Sequence, residues 1–166
     1  MKIVKNVIDL VAGLMSVICI TFAILMLVGY KPVVIQSGSM SPAIMTGDLC
    51  LVHSDDEYLL NDIVTFSVED IYVTHRIVCD NDDGTYMTQG DANKIEDSAL
   101  LKKEQIVGKV NLVLPKVGFI YAVVTTFKGK VLLCVVMFAL IGTSMILEDK
   151  IKSNNGSNER EVNYEE

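Results

Sequence analysis

Apolar residues in this chain gather into two long blocks, and between the blocks they alternate with polar ones in short runs. The first block, residues 7–29, is almost wholly apolar, with Asp9 as its only charge. Its length matches the roughly 20 residues that a helix needs to cross a hydrocarbon core. A cleavable leader competes with an anchor here, because Lys2 and Lys5 would serve as its charged start. The apolar run exceeds the ~7–15 residues of a leader's core, and Gly29-Tyr30-Lys31-Pro32 offers no small-x-small cleavage site. An uncleaved anchor is therefore predicted. The second block, residues 131–147, is at the short end of the spanning range and predicts a second transmembrane or interfacial helix over 128–148.

Lysine placement orients the first block. Lys2 and Lys5 precede it and Lys31 alone follows closely, which favours a cytoplasmic N-terminus. The second block has lysines on both sides (Lys128, Lys130, Lys150 and Lys152) and does not orient itself. The expected organisation is a cytoplasmic stretch 1–6, an anchor 7–29, an extracytoplasmic domain 30–127, the second helix 128–148 and a cytoplasmic tail 149–166, all integral to the cell membrane. The tail is poor in apolar residues and is predicted to be disordered.

Between the blocks the period is that of strands. Residues 33–36, 49–53, 63–68, 72–79, 86–89 and 106–114 are candidates, most of them rich in β-branched or aromatic side chains. Gly47-Asp48, Asn61-Asp62, the 81–84 stretch and Gly90-Asp91 punctuate them, and 81–84 reads as a hairpin loop. Only 97–105 suggests a short helix. The fold class is mainly β, antiparallel, with a curled or barrel-like sheet flanked by transmembrane helices.

Composition narrows the function. Of 166 residues 51% are hydrophobic, but the excess sits in the two blocks, so the middle has the make-up of a soluble domain. A net charge of −7 excludes a non-specific nucleic-acid binder, which needs a basic face. The four cysteines lack metal-ligand spacing. Cys19 and Cys134 read as small hydrophobes within the apolar blocks, and Cys50 and Cys79 as buried free thiols in strands, with a disulfide between the two left open.

Two kinds of side chain in the β region carry candidate chemistry. Ser39 follows a strand in Gln36-Ser37-Gly38-Ser39-Met40-Ser41-Pro42, and a serine hydroxyl becomes a nucleophile when a base takes its proton. The chain has two histidines. His53 ends a strand beside Ser54-Asp55-Asp56-Glu57 and looks exposed, whereas His75 shares a strand face with Ile71, Val73 and Ile77. On these features alone a turn serine and a core histidine remain alternatives to a Ser/His hydrolase.

Five boxes in register change that balance: Ser37-Gly38-Ser39-Met40-Ser41-Pro42, Gly47-Asp48, Asn61-Asp62-Ile63-Val64-Thr65-Phe66, Thr74-His75-Arg76-Ile77-Val78, and Gly90-Asp91-Ala92-Asn93 with Asp97. Over residues 33–117 the chain resembles the signal peptidase I family. With histidine rather than lysine at position 75, it resembles the endoplasmic-reticulum, archaeal and sporulation-associated branch. The resemblance implies a membrane-bound serine endopeptidase that removes signal peptides from secreted or membrane precursors, without metal or organic cofactor. It implies Ser39 as nucleophile, His75 as general base, Asp97 as triad acid and Ser37 as oxyanion support. Asp91 is expected to be an essential structural neighbour, with its exchange for Asp97 in the triad left open. Additional membrane subunits are left open too. The competing class is an inactive, membrane-tethered β module that binds exported chains.

Overall fold

The computed structural model describes residues 1–81 and 83–162. It divides into two units, Leu25–Thr125 and the pair Met1–Ile24 with Thr126–Glu166.

The helical unit holds most of α1 (Lys2–Leu27) and all of α3 (Phe127–Val162). Lys2–Leu27 and Phe127–Ser153 are each long and apolar enough to cross a membrane. Asp9, the lone charge of the first apolar block, accepts from Lys5 Nζ at 2.7 Å and from the Ser144 hydroxyl of α3. The segment from 149, expected to be disordered, continues α3 as far as Val162, while 163–166 lie outside the described residues. A helix already nucleated by its apolar part extends at one hydrogen bond per added residue, and the Glu148–Lys152 pair at 2.8 Å spans the junction at i,i+4 spacing.

The other unit is a seven-stranded antiparallel sheet in the order β1-β2-β7-β3-β4-β5-β6. Its strands are β1 (Lys31–Val34), β2 (Leu49–His53), β3 (Ile63–Val68), β4 (Ile71–Asp80), β5 (Thr85–Gln89), β6 (Leu101–Lys102) and β7 (Ile106–Leu114). The sheet is open, with β1 and β6 at its edges, so the curled alternative holds rather than a closed barrel. Irregular register at Leu51/Val52, Thr65/Phe66 and Ile77/Cys79 supplies the bends that such a sheet needs. Residues 97–105, read as a short helix, form β6 and a single 3-10 turn, Lys103–Gln105. A helix not expected from the sequence, α2 (Val117–Val124), follows β7.

Alternation sorts the core into two clusters. Val64, Phe66, Ile77, Tyr86 and Ile106 pack in one, and Val33, Ile35, Met40, Ile44, Cys50 and Val52 in the other. Neighbours Ile63 and Val64 join different clusters, as a period of two requires of a sheet packed on both faces. Cys50 is buried and its thiol pKa is pushed up to about 12 by desolvation. Cys79 was read as buried but is exposed, at the irregularity in the β4–β5 register; both thiols are free.

Gly47-Asp48, read from the sequence as a turn, joins the two ends of the β unit. Buried Asp48 accepts from the backbone N–H of Met45 at 2.9 Å and of Lys116 at 3.0 Å, and Gly118 N–H donates to Gly47 O. Gly47 has φ +88°, and a Cβ there would lie 2.1 Å from the Phe119 ring. The two backbone donors hold the Asp48 carboxyl below its ordinary value of 3.8. Its stabilising contribution is therefore full above about pH 4 and is lost as acid protonates the folded carboxylate. Asp48→Asn should lower stability by about 2 kcal/mol at neutral pH and flatten the acid limb of the melting-temperature profile. An unchanged profile would remove Asp48 as the tie.

Candidate active site

Ser39 lies on the loop between β1 and β2, half-buried. The residue after it, Met40, is 1% exposed and sits with Ile44 in the core cluster under β1 and β2, so the loop is pinned from below. Hydrogen bonds from Ser41 N–H to Gly38 O and from Ile44 N–H to Met40 O shape it into consecutive turns. From the other side, Ala92 N–H donates to Ser39 O at 2.8 Å. Ser37 Oγ is 3.3 Å from Ser39 Oγ.

His75 stands on β4 opposite Val64 of β3, 8% exposed, with the Phe66 ring edge-on at 6.2 Å between centroids. Its Nδ1 is 2.6 Å from Asp97 Oδ2. A carboxylate can only accept, so the neutral ring carries its proton on Nδ1 and leaves the Nε2 lone pair free. The segment after β5 carries Asp97 back to the ring: Asp97 N–H donates to Thr88 O at 2.8 Å, and Thr88 Oγ1 donates to the same Oδ2 at 2.6 Å.

Gly90 is where the Ser39 loop and the imidazole meet. A Cβ placed there would lie 2.7 Å from Ser39 O, 2.8 Å from Asn93 Nδ2 and 3.0 Å from His75 Nε2. Only a bare Cα leaves the loop and the ring at this separation.

Asp91 takes a different place from Asp97. It makes a two-pronged pair with Arg76, through Nε at 2.9 Å and Nη2 at 2.7 Å, while Arg76 Nη1 donates to Asn61 O. The Asp91 carboxylate raises the pKa of the Arg76 guanidinium, and its side chain is 18% exposed. His53 lies apart, its ring 4.8 Å from that of Tyr30. Ser37, Ser39, His75 and Asp97 are thus brought together, and Asp91 is held one residue along β4 from the ring. Gly90, Arg76 and Thr88 went unmarked in the sequence. The first two lie inside quoted boxes, and Thr88 shares the inward alternation of Tyr86.

A cleft of about 910 Å³ opens beside Ser39 and His75. Its walls include residues 32–36 along β1 and 70–75 along the start of β4. β5 pairs with β4 only from Arg76 onward, so among the described residues the 71–75 edge on that side carries no strand. The outer edge of β1 is likewise a sheet edge. Among the described residues no group of His, Cys, Asp and Glu could hold a metal ion.

A hydroxyl, an imidazole and a carboxylate, those of Ser39, His75 and Asp97, are gathered on one antiparallel sheet beside the cleft. No model of a known protein family matches the chain. It is 35% identical over 125 residues to the signal peptidase complex catalytic subunit SEC11C of Homo sapiens, a stretch covering 66% of this chain and 65% of that protein. It is also 35% identical to the subunit SEC11 of Scheffersomyces stipitis over 107 residues (56% of this chain, 64% of that one) and to sec11 of Dictyostelium discoideum over 102 residues (53% and 57%). The chain is thus similar, over 53–66% of its length, to proteins named as catalytic subunits of a signal peptidase complex. It spans 65% of the length of the mammalian relatives it matches.

The Arg76–Asp91 pair generates a stability prediction. Arg76→Ala and Asp91→Ala should each destabilise the β unit, and a double-mutant cycle should return a coupling of about 1 kcal/mol or more. Additive losses would show that the pair does not hold the loop.

Proposed function

We propose that this chain is a membrane-anchored serine endopeptidase that removes N-terminal signal peptides from exported precursors. The observation that carries this reading is the bond of His75 Nδ1 to Asp97 at 2.6 Å, with Gly90 close to both His75 Nε2 and Ser39 O. Ser39 Oγ attacks the scissile carbonyl carbon as its proton passes to Nε2. The tetrahedral oxyanion is held by the Ser39 backbone N–H and the Ser37 hydroxyl; one such donor is worth roughly 3–4 kcal/mol. The C–N bond breaks as His75 returns the proton to the leaving amine, and water releases the acyl group by the same route. Asp97 holds the ring and stabilises the imidazolium formed on the way. No metal or organic cofactor is needed for these steps.

The two unpaired edges lining the cleft suit a precursor segment bound as an added strand, with main-chain bonds giving affinity and side-chain pockets giving selectivity. Lysines at positions 2 and 5 support a catalytic domain outside the cytoplasm, where exported chains emerge. The relatives are named as catalytic subunits of a signal peptidase complex, which supports further membrane subunits for this chain also and favours a peptidase over a non-catalytic β module.

Purified full-length protein incubated with a signal-peptide-bearing precursor should release product with a single new N-terminus. His75→Ala should abolish that cleavage, and His53→Ala should leave it near normal. Asp97→Asn should keep its melting temperature and lose roughly 10⁴-fold in single-turnover rate, because an amide favours the wrong tautomer and cannot balance an imidazolium. Activity that tracks His53 instead would overturn the assignment of the base.

A further inference from the structure

Thr88 is a side chain that none of the boxes includes. It sits on β5, 1% exposed, and its neighbours in sequence, Met87 and Gln89, are only partly buried. A hydroxyl this deep needs a partner, since burying it unpaired costs about 1–3 kcal/mol. Its partner is Asp97 Oδ2 at 2.6 Å, the oxygen that also meets His75 Nδ1 at 2.6 Å. The same two residues are joined through the backbone, from Asp97 N–H to Thr88 O. Asp97 is therefore gripped twice by one residue of a paired strand, although it belongs to the segment after Gly90 that has no strand of its own until Leu101.

Resting on the peptidase reading above, we propose that Thr88 is a positioning residue: its hydroxyl fixes the Asp97 carboxylate so that Oδ2 meets His75 Nδ1. Two physical consequences follow from donation to one shared oxygen. The carboxylate loses its rotation about χ2, so the imidazole is oriented by a fixed acceptor rather than a mobile one. The donated proton also spreads the negative charge of Oδ2, which keeps the ring proton on Nδ1 while Nε2 takes the one from Ser39. Asp97 is the carboxylate bonded to the His75 ring. The charges of Arg76 and Asp91 beside it pair with each other, and β3 sets Val64 opposite His75 and the Phe66 ring edge-on to it. The orientation of His75 thus depends on the Asp97–Thr88 contact.

The test uses the full-length protein with Thr88→Val, which keeps the shape and removes the donor, and Thr88→Ser, which keeps the donor and removes a methyl group. Three measurements are made: melting temperature, single-turnover cleavage with KM, and the downfield NMR signal of the histidine ring N–H. With two histidines in the chain, that signal is assigned by its persistence in His53→Gln. Thr88→Val is expected to lose roughly tenfold or more in rate with KM unchanged, and to move or broaden the ring signal. Thr88→Ser is expected to recover most of both. A Val variant with the wild-type rate and signal, or a Ser variant as impaired as Val, would overturn the proposal. If the wild type cleaves no precursor yet the ring signal responds to Val and not to Ser, the peptidase reading fails and the placement of Thr88 stands.

Discussion

A histidine on a strand has two torsions and two nitrogens, and nothing in the strand itself decides how the ring turns or where its proton sits. In this protein both are decided by one acceptor, Asp97 Oδ2, at 2.6 Å from Nδ1. With that bond in place the neutral ring leaves the lone pair on Nε2, the nitrogen nearest Gly90. Without it the ring is an ordinary core side chain against Phe66. Everything that makes the cleft a chemical site rather than a groove depends on delivering this carboxylate from a segment with no strand pairing of its own.

Delivery is shared between the two aspartates of that segment. Asp91 ties the start of the segment to Arg76, next to the base on β4, and through Arg76 to the Asn61 carbonyl. Asp97 ends it on Thr88 and His75. Just before Asp91, Gly90 allows the chain to pass within contact distance of both Ser39 O and His75 Nε2, which any Cβ would block. The bond from Ala92 N–H to Ser39 O then fixes the nucleophile loop to the segment that carries the acid. Ser39, His75 and Asp97 are thus held by one short run of chain, each end of which is anchored to an interior strand.

Much of this was legible in the sequence, for identifiable reasons. Strands β2, β3 and β7 follow from short runs of apolar and β-branched residues and are found at the predicted limits. Of the two aspartates left open as partner of the histidine, Asp97 bonds the His75 ring and Asp91, in a turn, pairs with Arg76. What escaped was set by tertiary contact. Cys79 alternates as a buried residue, but the irregular β4–β5 register beyond Ile77 leaves it exposed. Gly47-Asp48 looks like any turn until Lys116 and Phe119, some 70 residues on, are brought against it. Thr88 is indistinguishable in sequence from a strand threonine of ordinary propensity. The polar stretch from 149 lacks apolar periodicity, yet it is helical as far as Val162, as an extension of the apolar helix before it.

The central claim is that the hydroxyl of Ser39 is the attacking group. The most direct measurement is the single-turnover rate at which purified Ser39→Ala cleaves a precursor, taken beside its melting temperature and its insertion into lipid vesicles. The predicted result is an intact, inserted and thermally unaltered protein with no detectable cleavage. A variant that kept even about a tenth of the wild-type rate would contradict the account, since without the nucleophile the residual rate should be orders of magnitude lower.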